Sequence, residues 1–327
     1  MIREPRFSFI VPVYDVAPYL CACLDSVLAQ TFGDWEAVCV DDGSTDGSAG
    51  ILDGYSAGDA RIRVVHKGNG GLSDARNAGL AVARGQWIVF LDGDDVFEAG
   101  GLAAIDHAIS GNPKADFVRF RRQKFVDGEA VRWSCEAGFE TRAIDVSSAI
   151  TAEVSMLALC EIAYRRDVIS GLRFVGRAYH EDRQFYAEAL VRAKTIVDIG
   201  VPLNGYRMRP GSIMHTDRRF EETRRAIEVF PRVLKLYLES GRRLDRRAER
   251  LYANYVFERI PFQIGGLDRA QRIELWKLYW EQVKGLNGLR GWRRIVCGLY
   301  RHSPFPECLA LLIGALPHFA KTKGFHR

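Results

Sequence analysis

Short apolar runs alternate with longer stretches of helical spacing through the first third of the chain. FSFIVPVY (7–14), WEAVCVDD (35–42), IRVVHK (62–67) and WIVFLD (87–92) read as strands, whereas PYLCACLDSVLAQ (18–30) and LSDARNAGLAVA (72–83) space their apolar residues as helices do. Strand and helix in alternation predict parallel βαβ units in a doubly wound sheet. The run from Trp87 to Leu91 is apolar on both faces, which fits a central strand covered on each side. Ligands of such sheets bind beyond the carboxyl ends of the strands, so Pro12–Asp15, Asp41–Asp46 and Asp92–Asp95 are expected to be neighbours.

The middle of the chain, 112–200, carries weaker patterns. FVRFRRQKF (117–125) reads as a strand, SSAITAEVSMLALCEIAY (147–164) has helical or mixed spacing, and RFVGRAYHEDRQFYAEALVRA (173–193) holds a turn followed by a helix. Beyond Pro210 the pattern is helical, with amphipathic stretches at 225–239, 245–260 and 267–286. The expectation is an α/β unit over 1–218 and a helical extension over 219–327, with the boundary near 215–222.

With 47% hydrophobic and 27% charged residues, the chain is globular rather than disordered or fibrous. The residues before the first strand hold no apolar run long enough for a signal peptide, and with seven scattered cysteines a reduced, cytoplasmic protein is expected. Cys21 and Cys23 have no second pair at zinc spacing. The net charge of +5 hides a division: residues 1–200 hold 21 Lys and Arg against 29 Asp and Glu, and residues 201–327 hold 25 against 12. The longest apolar run of the tail, CLALLIGAL (308–316), is about half a membrane span.

Three loops carry candidate chemistry. In FLDGDD, Gly93 allows a tight turn in which Asp92 and Asp94 converge; like charges this close need a cation among them, and oxygen ligands suit Mg²⁺ or Mn²⁺. A solvated Asp/Gly turn is the plainer alternative. In VDDGSTDGS, Ser44, Thr45 and Asp46 can cap the next helix, while Asp42 at the strand tip can accept a hydrogen bond from a nucleotide base. Asp42, Ser44, Asp46, Gly47 and Asp53 also fall at calcium-loop positions, but the last ligand is Asp and a strand precedes the loop. The glycines of GNGGLSDARNAG (68–79) follow the third strand rather than the first, which disfavours a dehydrogenase. Arg76, near the start of the next helix, reads equally as a phosphate ligand or a surface charge.

Taken in order, IVPVYD, YLCACLDSVLAQT, VDDGSTDGS, GLSDARNAG and FLDGDD resemble glycosyltransferase family 2 over about residues 6–215, with Asp15 where Asn is usual. The resemblance implies a GT-A fold, with a Rossmann-like, mostly parallel central sheet flanked by helices, a donor half over 1–110 and an acceptor half over 111–218. It implies a nucleoside-diphosphate sugar as donor, a uridine-linked one foremost, and Mn²⁺ or Mg²⁺ as cofactor. Asp42 would bind the base, Asp92 would lie near ribose and metal, and Asp94 would be a principal metal ligand. Pro12, Tyr14 and Arg76 would line the nucleotide pocket. HEDRQF (180–185) looks like the family's E-D-x-x-F motif, making Asp182 the general base; an acidic helix start is the ordinary reading of the same residues. YRMRPGSIMH (206–215) would fold over the donor, with Arg207 and Ser212 on the diphosphate and His215 as a further metal ligand.

Together these readings predict an inverting, metal-dependent transfer of a sugar onto a hydroxyl of a glycan or lipid-linked saccharide, in cell-surface polysaccharide biosynthesis. A non-catalytic nucleotide-sugar-binding or scaffold protein is the alternative. The basic LRGWRRIVCGLYRH (289–302) suits either an anionic membrane surface, which would put the protein peripherally on the inner face of the cell membrane, or a helix packed on the catalytic unit. Nucleic acid is not expected, since no binding module accompanies the basic tail.

Overall fold

The computed structural model describes residues 4–133, 141–145, 159–175, 181–209 and 267–283, with isolated positions 220–221, 223–224, 226–228, 239 and 264. The chain divides into two compact units, Met1–Thr216 and Asp217–Arg327. In the first, the order is β1 (Phe7–Val13), α1 (Ala17–Leu28), β2 (Trp35–Asp41), α2 (Ser48–Gly58), β3 (Ile62–His66), α3 (Leu72–Val82), β4 (Trp87–Phe90), β5 (Val96–Phe97), α4 (Gly101–Gly111), β6 (Phe117–Val126) and β7 (Arg142–Asp145). A 3₁₀ turn (Leu159–Glu161), β8 (Ile162–Arg165), the short α5 (Arg166–Ile169), α6 (Glu181–Arg192) and β9 (Thr195–Met208) follow.

The first four strands pair in parallel in the order β3-β2-β1-β4, as the apolar rhythm predicts. Each residue of β1, β2 and β4 is buried. Phe7, Phe9, Val11 and Val13 face α1 through Leu20, Leu24 and Val27, while Val38 and Val40 face α3 through Ala75. The second half of the sheet is mixed. β8 lies antiparallel between β4 and β6, β6 runs parallel to β9, and β5 and β7 pair antiparallel with β9.

Two sequence expectations are corrected here. The end of 147–164, read as helical or mixed, is the strand β8, which is buried at Ile162, Ala163 and Tyr164; 146–158 lie outside the described residues. The fourteen-residue β9 was not foreseen, because Gly200, Pro202, Asn204 and Gly205 break its pattern. It tolerates them at irregularities: Gly200 has φ 69°, and the register to β6 shifts between Arg119 and Arg122.

In the second unit, α7 (Arg269–Val283) falls within the helix predicted at 267–286 and buries Leu275, Trp276 and Tyr279, the two rings meeting edge to face at 5.4 Å. The expected helices at 225–239 and 245–260 lie largely, and the basic segment 289–302 wholly, outside the described residues. Among the described residues no helix is long and apolar enough to cross a membrane.

The amino-terminal end of the sheet is tied by Glu36, which is 2% exposed. Its carboxylate accepts from Ser8 Oγ (2.7 Å), from Arg84 N, Nε and Nη2 (2.6, 2.9 and 2.7 Å) and from Arg63 Nη1 (3.0 Å). Burial alone would raise its pKa, but the bonds from Arg84, Ser8 and Arg63 hold it below the usual carboxylate range. Its contribution to stability is therefore present above the ordinary carboxylate pKa and is lost as pH falls through the lowered value. Glu36→Ala leaves the buried Ser8 hydroxyl without its acceptor and two partly exposed arginines without theirs, and is expected to cost about 1–3 kcal/mol in denaturant unfolding at neutral pH. That cost should shrink on acidification.

Candidate active site

At the carboxyl end of β4 the chain turns at once, with Leu91 N donating to Ile10 O (3.1 Å) and Asp95 N to Asp92 O (2.9 Å). Gly93 leaves little room for a side chain there, because a Cβ would stand 3.1 Å from Pro12 O and 3.2–3.3 Å from Val16 and Val13, tighter than ordinary contact. The turn gathers three carboxylates, and each is accommodated differently. Asp92 Oδ1 accepts from Arg76 Nη2 (2.9 Å), and Asp94 Oδ2 accepts from Arg209 Nε (2.7 Å). Asp95 is 2% exposed and accepts only a backbone proton, from Arg207 N (2.9 Å). Burial, then Asp92 and Asp94, push its pKa well above the usual range.

Arg76 joins this turn to α6. Its guanidinium, 3% exposed, donates Nη2 to Asp92 and Nη1 to Glu181 Oε1 (2.8 Å). The two carboxylates outweigh burial and raise its pKa, so it is a fixed cation. Glu181 opens α6 and Asp182 follows it, close enough for its charge to act on both Glu181 and Arg76. Burial raises Glu181 to about 7 despite Arg76, with Asp182 adding to the shift. Before α6, α3 holds the chain: Asn77 Nδ2 donates to Phe174 O and Phe174 N to Asn77 Oδ1 (2.8 Å each), and Ser73 Oγ donates to Val175 O (3.0 Å). Phe174 stacks on Phe185 of α6 at 4.1 Å, and both meet Phe90 edge to face.

The three loops expected to be neighbours do meet. Asp42 N donates to Val13 O (2.9 Å), and Asp15 N to Ser44 Oγ (3.2 Å). Asp15 has φ 48°, a conformation that Asp and Asn tolerate alike, so its replacement of the usual Asn is conservative. Asp46 does more than start its own helix: Oδ1 accepts from Ser48 N (3.0 Å) and Oδ2 from Ala17 N (2.9 Å), holding the start of α1. Asp42 is 2% exposed; it accepts from Lys67 Nζ, Gly70 N (2.9 Å) and Gly71 N (2.7 Å), and so fixes the glycine loop. A carboxylate offers about four acceptor directions, which leaves one for a ligand. Pro12 is buried in β1, and Tyr14, just beyond it, is 49% exposed.

Arg207 braces the acidic turn from β9, with Nε donating to Asp94 O (2.8 Å), Nη1 to Asp127 Oδ1 (2.9 Å), and its guanidinium over Phe125 at 4.6 Å. Ser212 and His215 lie outside the described residues. Sequence reasoning gave no role to Glu181, Asp95, Lys67 or Asn77; only the Glu-Asp and Asp-Asp doublets hinted at the first two.

Among the described residues no three His, Cys, Asp or Glu side chains form a metal cage. Asp92 and Asp94 nonetheless fit a divalent cation, since Mg²⁺ is commonly held by one or two carboxylates with substrate phosphates and water completing the shell. Two predictions follow from the charges. Asp95→Asn keeps the acceptor for Arg207 N and is expected to be nearly neutral in thermal unfolding, whereas Asp95→Ala should cost about 1–3 kcal/mol. Glu181 binds its proton more tightly folded than unfolded, so its contribution is complete below about 4.5 and is lost as pH rises through about 7. Unfolding titrations from pH 5 to 8 should therefore show a decline, at most about 3 kcal/mol, that Glu181→Gln flattens.

Comparison with known proteins agrees with this geometry. The family model "Glycosyl transferase family 2" matches residues 8–171. The uncharacterized glycosyltransferase EpsJ of Bacillus subtilis is 53% identical over 91 residues, 28% of this chain and 26% of EpsJ. Glycosyltransferase GlyG of Streptococcus pneumoniae is 28% identical over 235 residues, 68% of this chain and 77% of GlyG. The match thus spans about a quarter of one relative and three quarters of the other. Among solved structures, S. aureus TarS residues 1–349 in complex with UDP-GlcNAc superposes with a TM-score of 0.72 at 20% identity, covering 95% of this chain and 87% of that one, which gives the same GT-A fold. With the family model covering half its length, the chain belongs to glycosyltransferase family 2.

Proposed function

We propose that this glycosyltransferase is inverting and metal-dependent, moving a sugar from a nucleoside-diphosphate donor to a hydroxyl of a glycan or lipid-linked saccharide in cell-surface polysaccharide biosynthesis. The observation that carries the reading is the buried Arg76, whose two ends hold Asp92 of the acidic turn and Glu181 of α6 within one guanidinium. That bridge brings a carboxylate pair for a cation and a carboxylate for a proton to the same side of the sheet. The UDP-GlcNAc in the TarS structure supports a uridine-linked donor.

In this reading Asp42 steadies the base pocket beside Pro12 and Tyr14, and Asp92 and Asp94 hold Mn²⁺ or Mg²⁺. Such an ion, when bound, neutralises the charge that develops on the departing diphosphate. Without it Asp94 keeps Arg209 as its counter-ion, and Arg209, freed from Asp94, can turn to phosphate oxygens. Asp182, partly exposed at the start of α6, takes the proton of the acceptor hydroxyl as that oxygen attacks the anomeric carbon. One base and one displacement give inversion. The fixed charge of Arg76 orients Glu181 beside it rather than entering the reaction.

Asp182→Asn is expected to lower transfer by at least about 100-fold while calorimetry with UDP-sugar and Mn²⁺ stays close to wild type. Asp94→Asn should lose transfer through weakened metal and donor binding. Normal turnover by Asp182→Asn would remove the base assignment, and donor binding without turnover over a broad acceptor panel would favour a binding or scaffold role.

A further inference from the structure

The face of the sheet that carries α6 continues outward along β6 and β9 into a strip that the donor chemistry does not use. The two strands pair Arg122 with Asn204, Lys124 with Tyr206 and Val126 with Met208, so these six side chains share one face. Its inner end adjoins the acidic site. Arg122 Nε lies 3.3 Å from Glu161 Oε1, and the 3₁₀ turn that carries Glu161 packs against β4 and α6. Outward from there the Arg122 guanidinium lies 5.2 Å from the centre of the Tyr206 ring, and Lys124, Val126 and Met208 are exposed.

Charge decides what this strip fits. On the strip itself the cations Arg122 and Lys124 are set against Glu161 among the described residues, an excess of one positive charge, and Arg121 borders them in an ion pair with Asp198. Arg121 and Arg122 are about one-third exposed in their side chains. At the floor Asn204 is 1% exposed, and its Nδ2 is without a hydrogen-bond partner among the described residues, an unmet donor that an acceptor oxygen reaching this floor would satisfy. A neutral glycan needs no cations. An anionic one would be repelled by Asp92, Asp94, Glu181 and Asp182 unless cations held it along its approach. Arg122 and Lys124, two residues apart on one strand, stand about 7 Å apart, enough to engage separate anionic groups while the Tyr206 ring meets a sugar face.

We propose that this strip is the acceptor subsite and that it takes a negatively charged glycan, one bearing phosphate or carboxylate groups. The inference rests on the transferase reading above and names its acceptor class.

The test titrates the full chain, with UDP and Mn²⁺ present, with three oligosaccharides of equal length: phosphorylated, uronate-containing and neutral. Either charged probe should bind at least about tenfold more tightly than the neutral one and weaken with salt, and which of the two binds identifies the group. The R122Q/K124E variant, with its thermal unfolding checked against wild type, should lose that preference while its affinity for UDP and Mn²⁺ stays unchanged; Lys124→Arg should keep the preference. Equal binding of the neutral probe, no binding of any probe, or an unaltered preference in R122Q/K124E overturns the proposal. Failure of UDP and Mn²⁺ to bind wild type would instead overturn the transferase reading, and the glycan titrations, repeated without them, would still decide the charge preference.

Discussion

A guanidinium removed from water is tolerable only where carboxylates replace the lost hydration, and Arg76 is such a group. Its two partners come from places far apart in sequence, the tip of β4 and the first turn of α6. If either carboxylate moves away, the guanidinium loses one of its two hydrogen-bonded partners in a site closed to water. The Nε of Arg76 has no partner among the described residues, so the cluster is not built for greatest stability. What it supplies is registration: the acidic turn and the helix bearing Asp182 are held in one arrangement by a charge that neither can do without.

Around that cation the remaining charges are distributed rather than paired off. Of the carboxylates in the turn, one faces a buried arginine, one faces an arginine at the end of β9, and one is driven by burial toward its neutral form. The other two have access to solvent, and they are the ones able to exchange a protein cation for another positive species. Asp95, withdrawn from that role, instead fastens the turn to the backbone at Arg207. The same tip of one strand thus holds two exchangeable carboxylates beside one fixed to the backbone.

The first half of the sheet was legible because its signals are local. Apolar strands ending in Asp, glycines at the turns and the order of five short motifs suffice to predict four parallel strands and three adjoining loops. The second half was not, for reasons found in particular residues. β9 hides behind Gly200, Pro202 and Gly205, and β8 is only four residues long, both formed through pairing with distant strands rather than by their own pattern. Asn77 looks like an ordinary helical polar residue, yet its amide pairs with both backbone groups of Phe174, ninety-seven positions away. Arg76 had two readings of equal standing, and only its burial against Glu181 reveals it as a bridge rather than a surface charge.

The insertion of β8 between β4 and β6 bears on how the molecule is made. As the polypeptide leaves the ribosome, β1 to β4 can align as soon as the first ninety or so residues have emerged, but β4 then presents an unsatisfied row of amides until Ile162–Arg165 arrive. Everything synthesised in between must wait, or find a provisional partner, while that edge stands open. Non-local closure of this kind slows folding and leaves the β4 edge open to adhesion between nascent chains until β8 arrives.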